Sequence, residues 1–306
     1  TRAAARIAPH AHRTPVITSA TLDAAVGARV LLKCENLQKV GAFKFRGACN
    51  AVLALDAGQA RRGVATHSSG NHAQALALAA RLRGIEAQIV MPTDTRPVKL
   101  EAVRGYGGVV VPCAPTLEAR ERTAAQLVER TGATLIHPYD DARIIAGQGT
   151  AALELLEQAG GQLDLLLAPV GGGGLMAGTL VAVASRSPAT RVIGVEPAGA
   201  DDALRSLRAG RIIPSMDPDT IAEGLLTSLG ELNFAIIRRH IHDIVTVDDD
   251  AIVRALRFVW ERIKTVIEPS AALAVAALLD RVVEAPGATI GVILSGGNVD
   301  LDSLPF

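Results

Sequence analysis

Amine chemistry has few places to occur in this chain, because only five of its 31 basic residues are lysines: Lys33, Lys39, Lys44, Lys99 and Lys264. Lys33 lies in an apolar strand-like run, RVLLKC, where a snorkelling tip keeps such a charge in water. Lys99 and Lys264 fall on helical faces, and these three lysines read as solvated charges. Lys44 differs. In Gly41-Ala42-Phe43-Lys44-Phe45-Arg46-Gly47 one amine stands between two aromatics at a loop-to-helix junction. Partial desolvation beside Arg46 lowers the pKa of such an amine and makes it nucleophilic. The plain structural alternative is a helix-start lysine beside two core phenylalanines.

The second chemical feature is Leu165–Gly178, LLLAPVGGGGLMAG, a buried strand running into Gly171, Gly172, Gly173 and Gly174 and then a helix. Glycines let backbone N–H groups converge, and a helix N-terminus adds positive potential, so the guest is an anion, most often a phosphate. Two phosphate carriers compete. Gly172-x-Gly174-x-x-Ala177 fits a dinucleotide fingerprint, with Glu196 ending the next strand as a ribose acid, and this reading implies an NAD-dependent oxidoreductase. Against it, Glu196 is followed by Ala200-Asp201-Asp202, a cluster closer to an oxygen-ligand site for a divalent cation. The fingerprint also comes past the middle of the chain. The other carrier is a phosphate-bearing aldehyde joined to a lysine, pyridoxal phosphate (PLP).

Strands alternating with helices must position these groups. The pattern predicts a strand over 29–34, a helix over 42–55, a strand over 63–67, and Ser68-Ser69-Gly70-Asn71 opening a helix to 83. Strands over 87–91, 109–111 and 134–136 alternate with helices over 96–106, 117–130 and 144–158. The second half continues with strands over 163–168, 191–195, 244–247 and 289–294. Its helices are expected over 175–185, 201–207, 234–240, 249–264 and 270–284, around an irregular stretch at 212–229. This rhythm predicts parallel sheets covered on both faces, with ligands at the C-terminal edges of the strands. No linker interrupts it, which suits one lobe inserted into another.

Composition narrows the class. Hydrophobic residues make up 49% and charged residues 20%, with 31 basic against 31 acidic, so the chain is globular rather than disordered. Aromatics are only 3% and no basic stripe appears, which speaks against nucleic acid. No apolar run reaches the length of a membrane span. Three dispersed cysteines, Cys34, Cys49 and Cys113, suit a reducing cytoplasm rather than a disulfide framework.

The segments KCENLQKVGAFKFRGA, SSGNHAQALALA, IAGQGTAALEL, PVGGGGLMAG, GVEPAGADD, IEPSAA and LSGGNVDL resemble, in order and spacing, the fold type II PLP enzymes. Among these they are most similar to the serine racemase and threonine/serine dehydratase group. The resemblance runs from Thr14 to about Asp300. It implies a two-lobed α/β fold, tryptophan synthase β-like, each lobe an open, mostly parallel sheet flanked by helices. Residues 1–62 and 141–306 would form the larger, PLP-binding lobe. Residues 63–140 would form a smaller lobe that closes over substrate, with PLP in the cleft.

The resemblance also implies roles. Lys44 matches the Schiff-base lysine that moves the α-proton on its own face, Phe43 the residue packed on the ring, and Asn71 the partner of the ring hydroxyl. Gly171, Gly172, Gly173 and Gly174 with Leu175 match the phosphate loop, and Ser295 matches the serine facing the pyridine nitrogen. Ser68, Ser69, Gly70 and Asn71 match the turn that takes the substrate carboxylate. Ser69 also matches the racemases' opposite-face acid/base. Arg120 matches an arginine that reaches toward a substrate's distal group, and Glu196, the Ala200 carbonyl and Asp202 match a site for Mg²⁺, or Ca²⁺ or Mn²⁺.

A hydroxyl at Ser295 leaves the ring nitrogen neutral and favours prompt expulsion of a β-hydroxyl. The implied reaction is dehydration and deamination of a hydroxy-amino acid such as L-serine or L-threonine to a 2-oxo acid and ammonia. Serine racemase and 3-hydroxyaspartate dehydratase are the alternatives. Ala42 stands where the family often has Ser or Thr, and AFKFRG is reminiscent of the 3-hydroxyaspartate branch. Glu223-Gly224 is one methylene longer than the family's Asp-Gly. The implied partners are a small amino-acid substrate and a second copy in a homodimer.

Overall fold

A computed structural model of the chain describes residues 1–306. The chain forms two compact units: Thr1–Ala11 with Lys44–Gly147, and His12–Phe43 with Gln148–Phe306. The helices are α1 (Arg2–Ile7), α2 (Ala20–Val26), α3 (Lys44–Leu53), α4 (Ala57–Arg62), α5 (Asn71–Arg83), α6 (Pro97–Gly105), α7 (Leu117–Thr131) and α8 (Ala142–Gln158), followed by α9 (Gly174–Arg186), α10 (Asp202–Ala209), α11 (Glu231–His240), α12 (Asp249–Phe258) and α13 (Pro269–Leu279). The strands are β1 (Val16–Ile17), β2 (Arg29–Cys34), β3 (Val64–His67), β4 (Ala87–Pro92) and β5 (Val109–Cys113), then β6 (Thr134–Leu135), β7 (Leu165–Pro169), β8 (Arg191–Pro197), β9 (Asp243–Val247) and β10 (Thr289–Leu294). No helix is long and apolar enough to cross a membrane.

The first unit holds a four-stranded parallel sheet in the order β5-β4-β3-β6. Ala65, Val90, Cys113 and Leu127 pack on one of its faces. Residues 1–11, 44–62 and 141–147, expected with the larger lobe, group here, with α3 lying against both α5 and α1. The Arg83 guanidinium at the end of α5 donates to the Val52 and Leu55 carbonyls in and just beyond the last turn of α3.

The second unit holds a six-stranded sheet in the order β1-β2-β10-β7-β8-β9. Only β1 is antiparallel. Leu165 and Leu167 enter one core while Leu166 and Ala168 enter the other, so β7 reads as a continuous apolar run. Helix α13 is buried all round from Ser270 to Leu278. It stops at Leu279, short of the expected Glu284: Arg281 turns left-handed (φ 57°) and Val283 N–H bonds back to the Ala277 carbonyl at 3.0 Å. The helix expected over 249–264 likewise changes form, winding as a π-helix over Val259–Ile263 before Lys264 reverses it at φ 61°.

Lys33 overturns the solvated-charge reading. It is 0% exposed, and its Nζ donates to Glu154 Oε2 (2.6 Å), the Thr14 carbonyl (2.8 Å) and Gln158 Oε1 (2.8 Å). Leu31 and Lys33 share the face of β2 that packs on α8, so the ammonium is placed where three oxygens of that unit already converge.

Glycine permits a close helix crossing in the first unit. A Cβ on Gly147 of α8 would lie 2.5 Å from the Arg46 carbonyl oxygen and 2.6 Å from Gly47 Cα of α3. Gly147→Ala is therefore expected to cost at least about 2 kcal/mol. Gly105→Ala, at a helix end with nothing within 4 Å, is expected to range from neutral to about 1 kcal/mol stabilising. Denaturant midpoints of the two variants check the pair.

Candidate active site

In the second unit the sequence-predicted residues gather along the C-terminal edge of the sheet. Ser295 follows β10 and the glycine run follows β7, and those strands are neighbours in parallel register, Ile290 beside Leu165 and Val292 beside Leu167. The two loops therefore leave neighbouring strands at the same edge of the sheet, beyond the last paired residues, Val292 and Leu167. On the other side of β10, Phe43 N–H donates to the Ser295 carbonyl at 3.0 Å, and Ala42 bridges Gly296. Phe43 is thus tied to the serine loop one peptide before Lys44.

The glycine turn is shaped by what surrounds it. Gly173 is left-handed (φ 87°) and caps α9, and the first bond of that helix runs from Ala177 N–H to the Gly173 carbonyl at 2.8 Å. By helix geometry the N–H groups of residues 174–176 have no acceptor within α9. A Cβ on Gly171 would meet Leu225 Cα at 3.0 Å, and one on Gly173 would meet Asn233 Cβ at 2.9 Å. Asn233 Nδ2 and Gly230 N–H both donate to the Gly172 carbonyl (2.7 and 3.2 Å), which holds the turn from outside. Leu175 is buried in the first turn.

Glu196 ends β8 with its side chain buried. Its two oxygens accept from Ala203 N–H (2.9 Å) and Leu204 N–H (2.7 Å), capping α10. Asp202 is 1% exposed; neither carboxylate oxygen has a partner at full hydrogen-bonding geometry, while Ser215, Leu229 and the Arg205 charge lie near enough to act on it. Burial pushes Glu196 up to about 8 and Asp202 up to about 6, and the Asp202 charge adds to the shift at Glu196. Ala200 is buried in the short turn between them.

The first unit places Lys44, the Ser68–Asn71 turn and Arg120. Lys44 opens α3, half-buried, and its Nζ donates to the Pro138 carbonyl at 3.1 Å. Ser68 Oγ accepts from Gly70 N–H at 3.4 Å, and Gly70 caps α5, whose first residue is Asn71. Ser69 and Asn71 are half-buried there. Arg120 lies on α7, its Nε buried without a hydrogen-bond partner.

Three histidines complete this neighbourhood. The register of β3 on β6, Val64 beside Thr134 and Ala65 beside Leu135, brings His67 level with His137, and their rings meet edge-on at 6.0 Å. Tyr139 packs edge-on against His137 at 4.6 Å. His72 is buried, its Nε2 3.4 Å from the Ile136 carbonyl. Sequence reading passed over His67, His137 and Tyr139. The only local signal was a histidine at or just past the end of each of two short strands, and it gains meaning from the pairing of those strands.

A family model described as "Pyridoxal-phosphate dependent enzyme" matches residues 7–296. The chain belongs to this family. It is 49% identical over 301 residues to a β-hydroxyaspartate dehydratase of Paracoccus denitrificans, covering 98% of this chain and 95% of that protein. The crystal structure of serine racemase from Dictyostelium discoideum superposes with a TM-score of 0.94 at 47% identity, over 98% of this chain and 97% of the other. The structure of maize serine racemase gives 0.96 at 46% identity, over 98% and 93%, and that of a threonine deaminase from T.th. gives 0.93 at 50% identity, over 98% and 97%. The residues fit PLP on the structure's own terms: a glycine turn with its side-chain space already filled opens a buried helix, and Ser295 flanks it one strand away. The family match supports PLP, rather than a dinucleotide, as the cofactor of this chain.

The imidazoles around the PLP enzyme's Lys44 are held neutral. Burial lowers His67, His72 and His137, and the Lys44 charge lowers the last two further. Unfolded histidine titrates near about 6.5, so each ring contributes stability that is present above that pH and lost as pH falls below it. Imidazole NMR resonances of these three residues are expected to stay in their neutral positions at about pH 6.5, half-way through the ordinary titration.

Proposed function

We propose that the chain is a hydroxy-amino-acid ammonia-lyase. The substrate loses its α-proton and β-hydroxyl as water, and hydrolysis of the released enamine gives a 2-oxo acid and ammonia. The observation that carries this reading is a hydroxyl, that of Ser295, on the loop one strand from the glycine turn and bonded through its backbone to Phe43. The dehydratase, deaminase and racemase names of the relatives support it.

PLP, when bound, supplies the electron sink that makes an amino acid's α-proton removable. The chain's residues do the rest. Lys44 is the attachment amine and the base for the α-proton, near the acceptor carbonyl of Pro138. Gly171, Gly172, Gly173, Gly174 and Leu175 would hold the phosphate on backbone N–H groups, with Phe43 and Asn71 as the residues that would hold the ring. The Ser295 hydroxyl would be the partner of the ring nitrogen, and a hydroxyl there, unlike a carboxylate, would leave that nitrogen uncharged and favour loss of the β-hydroxyl. Ser68, Ser69, Gly70 and Asn71 bind the α-carboxylate at the start of α5. Ser69 adds a proton donor on the opposite face, which gives racemisation as a side activity. A cytoplasmic homodimer completes the reading; the three cysteines are buried free thiols, as a reducing compartment allows.

One observation favours a dicarboxylic substrate. The buried Nε of Arg120 has no partner in the protein, and His67 lies in its field. A guanidinium so placed suits a second carboxylate, as in 3-hydroxyaspartate. Keto-acid release across L-serine, L-threonine and 3-hydroxyaspartate tests both readings. Lys44→Ala is expected to abolish the visible cofactor band and to cut release about 10³-fold. Arg120→Leu is expected to raise KM for 3-hydroxyaspartate at least about tenfold with little change for serine.

Glu196, the Ala200 carbonyl and Asp202 are the proposed ligands of a divalent cation, Mg²⁺ first, with water filling the remaining positions. Two buried carboxylates, one with no partner at full hydrogen-bonding geometry, support it. Without a cation both keep protons that the unfolded chain gives up, so they lower stability as pH rises from about 4 toward about 8. A bound cation replaces those protons. The gain in Tm on adding Mg²⁺ to chelator-treated protein is therefore expected to grow between about pH 6 and about pH 8.5. No gain at the upper pH would leave the carboxylates purely structural.

A further inference from the structure

The turn that receives the Lys44 amine is built on a histidine that uses no acid–base chemistry. Residues 138–141 form a bend between β6 and α8, and the Pro138 carbonyl in it accepts from Lys44 Nζ at 3.1 Å. The bend has no backbone ladder. It is closed by the His137 ring, whose Nδ1 accepts from Asp140 N–H at 2.9 Å and from Tyr139 N–H at 3.3 Å. A side-chain acceptor serving the N–H groups two and three residues on is the pattern that Asn and Asp make at Asx-turns. Here an imidazole takes their place. Two donors on one nitrogen leave no room for a proton there, so the ring carries its hydrogen on Nε2.

The ring is held in position from several sides. His67 and Tyr139 pack edge-on against it at 6.0 and 4.6 Å. Downstream, Asp141 anchors the far end of the bend, accepting Arg143 N–H at 2.7 Å and pairing with the Arg143 guanidinium. Pro138 has no N–H to offer a competing turn, and it is buried. The bend is therefore fixed at two points, His137 and Asp141, with the carbonyl that receives the lysine between them.

We propose that His137 is a positioning residue for Lys44: its Nδ1 closes the turn that presents the Pro138 carbonyl to the amine. The carbonyl takes one N–H of the amine and so fixes the direction of its lone pair, which a base acting on one face of a substrate requires. Burial, followed by the neighbouring His67, lowers the pKa of the ring against the pull of Asp140 and Asp141, which keeps the acceptor lone pair available. The inference rests on the reading of Lys44 as the reactive amine. It makes His137 necessary for its acceptor atom, not for its proton or its bulk.

Three variants of the full-length holoenzyme separate these possibilities. His137→Asn rebuilds the turn with an amide oxygen and is expected to keep kcat within about threefold of wild type. His137→Gln, whose longer side chain misses that short turn, and His137→Phe, which keeps only a ring, are each expected to lose about tenfold or more in kcat. Both should also shift the pH titration of the visible cofactor band by at least about half a unit, while His137→Asn leaves it in place. That titration is read without turnover, and a merely structural defect would leave it unmoved. Loss of activity in His137→Asn equal to that in His137→Gln overturns the proposal, as does wild-type behaviour of His137→Phe. A wild-type protein with no visible band overturns the Lys44 reading instead.

Discussion

The second unit's chemistry depends on one strand insertion: β10, last in the chain, pairs between β2 and β7. Parallel strands release their loops at one edge, so this pairing decides which loops become neighbours. It sets Ser295 beside the glycine turn on one side and beside the Ala42–Phe43 turn on the other. Residues from opposite ends of the sequence thus share one edge. Their loops then satisfy each other's backbone groups: Gly297 N–H donates to the Gly41 carbonyl and Asn298 Nδ2 to the Val40 carbonyl. That mutual bonding holds Val40 in a left-handed conformation (φ 57°) that a β-branched residue avoids elsewhere.

Close backbone approach is the second constraint, and it explains where glycine is indispensable. The Gly149 position of α8 faces the Gly178 carbonyl of α9, where a Cβ would stand 2.5 Å from the oxygen. Gly199 is tighter still, its would-be Cβ 1.8 Å from the Asp219 carbonyl, and that contact fixes the turn leading to Asp202. At Gly147, Gly149 and Gly199 it is the absence of a side chain that allows the elements to meet.

The alternation of strands and helices was legible because both periods are local. The glycine run was legible as a strand-to-helix turn for the same reason, since four consecutive glycines are a composition no ordinary element needs. Boundaries failed where a long-range contact overrode the local pattern, as where Arg281 turned left-handed and closed α13 early. Lys33 was misread because its three oxygen partners come from segments distant in sequence, and an apolar run offers no sign of them. His137 escaped for a like reason: its ring partner His67 is remote in sequence and becomes adjacent only when β3 pairs with β6.

These residues show three solutions to one problem, the burial of a titratable group. Lys33 keeps its charge because Glu154 supplies the opposite one and two further oxygens take its remaining protons. The histidines near Lys44 surrender theirs, since another cation stands close and burial penalises a second. Glu196 and Asp202 have neither solution complete: two buried acids lie together, and the helix N–H groups of α10 satisfy only Glu196. Burial therefore favours the protonated forms of both acids, although the Arg205 charge acts on Asp202. Each solution follows from what the neighbouring elements can donate, so topology decides which of these buried groups finds a partner within the chain.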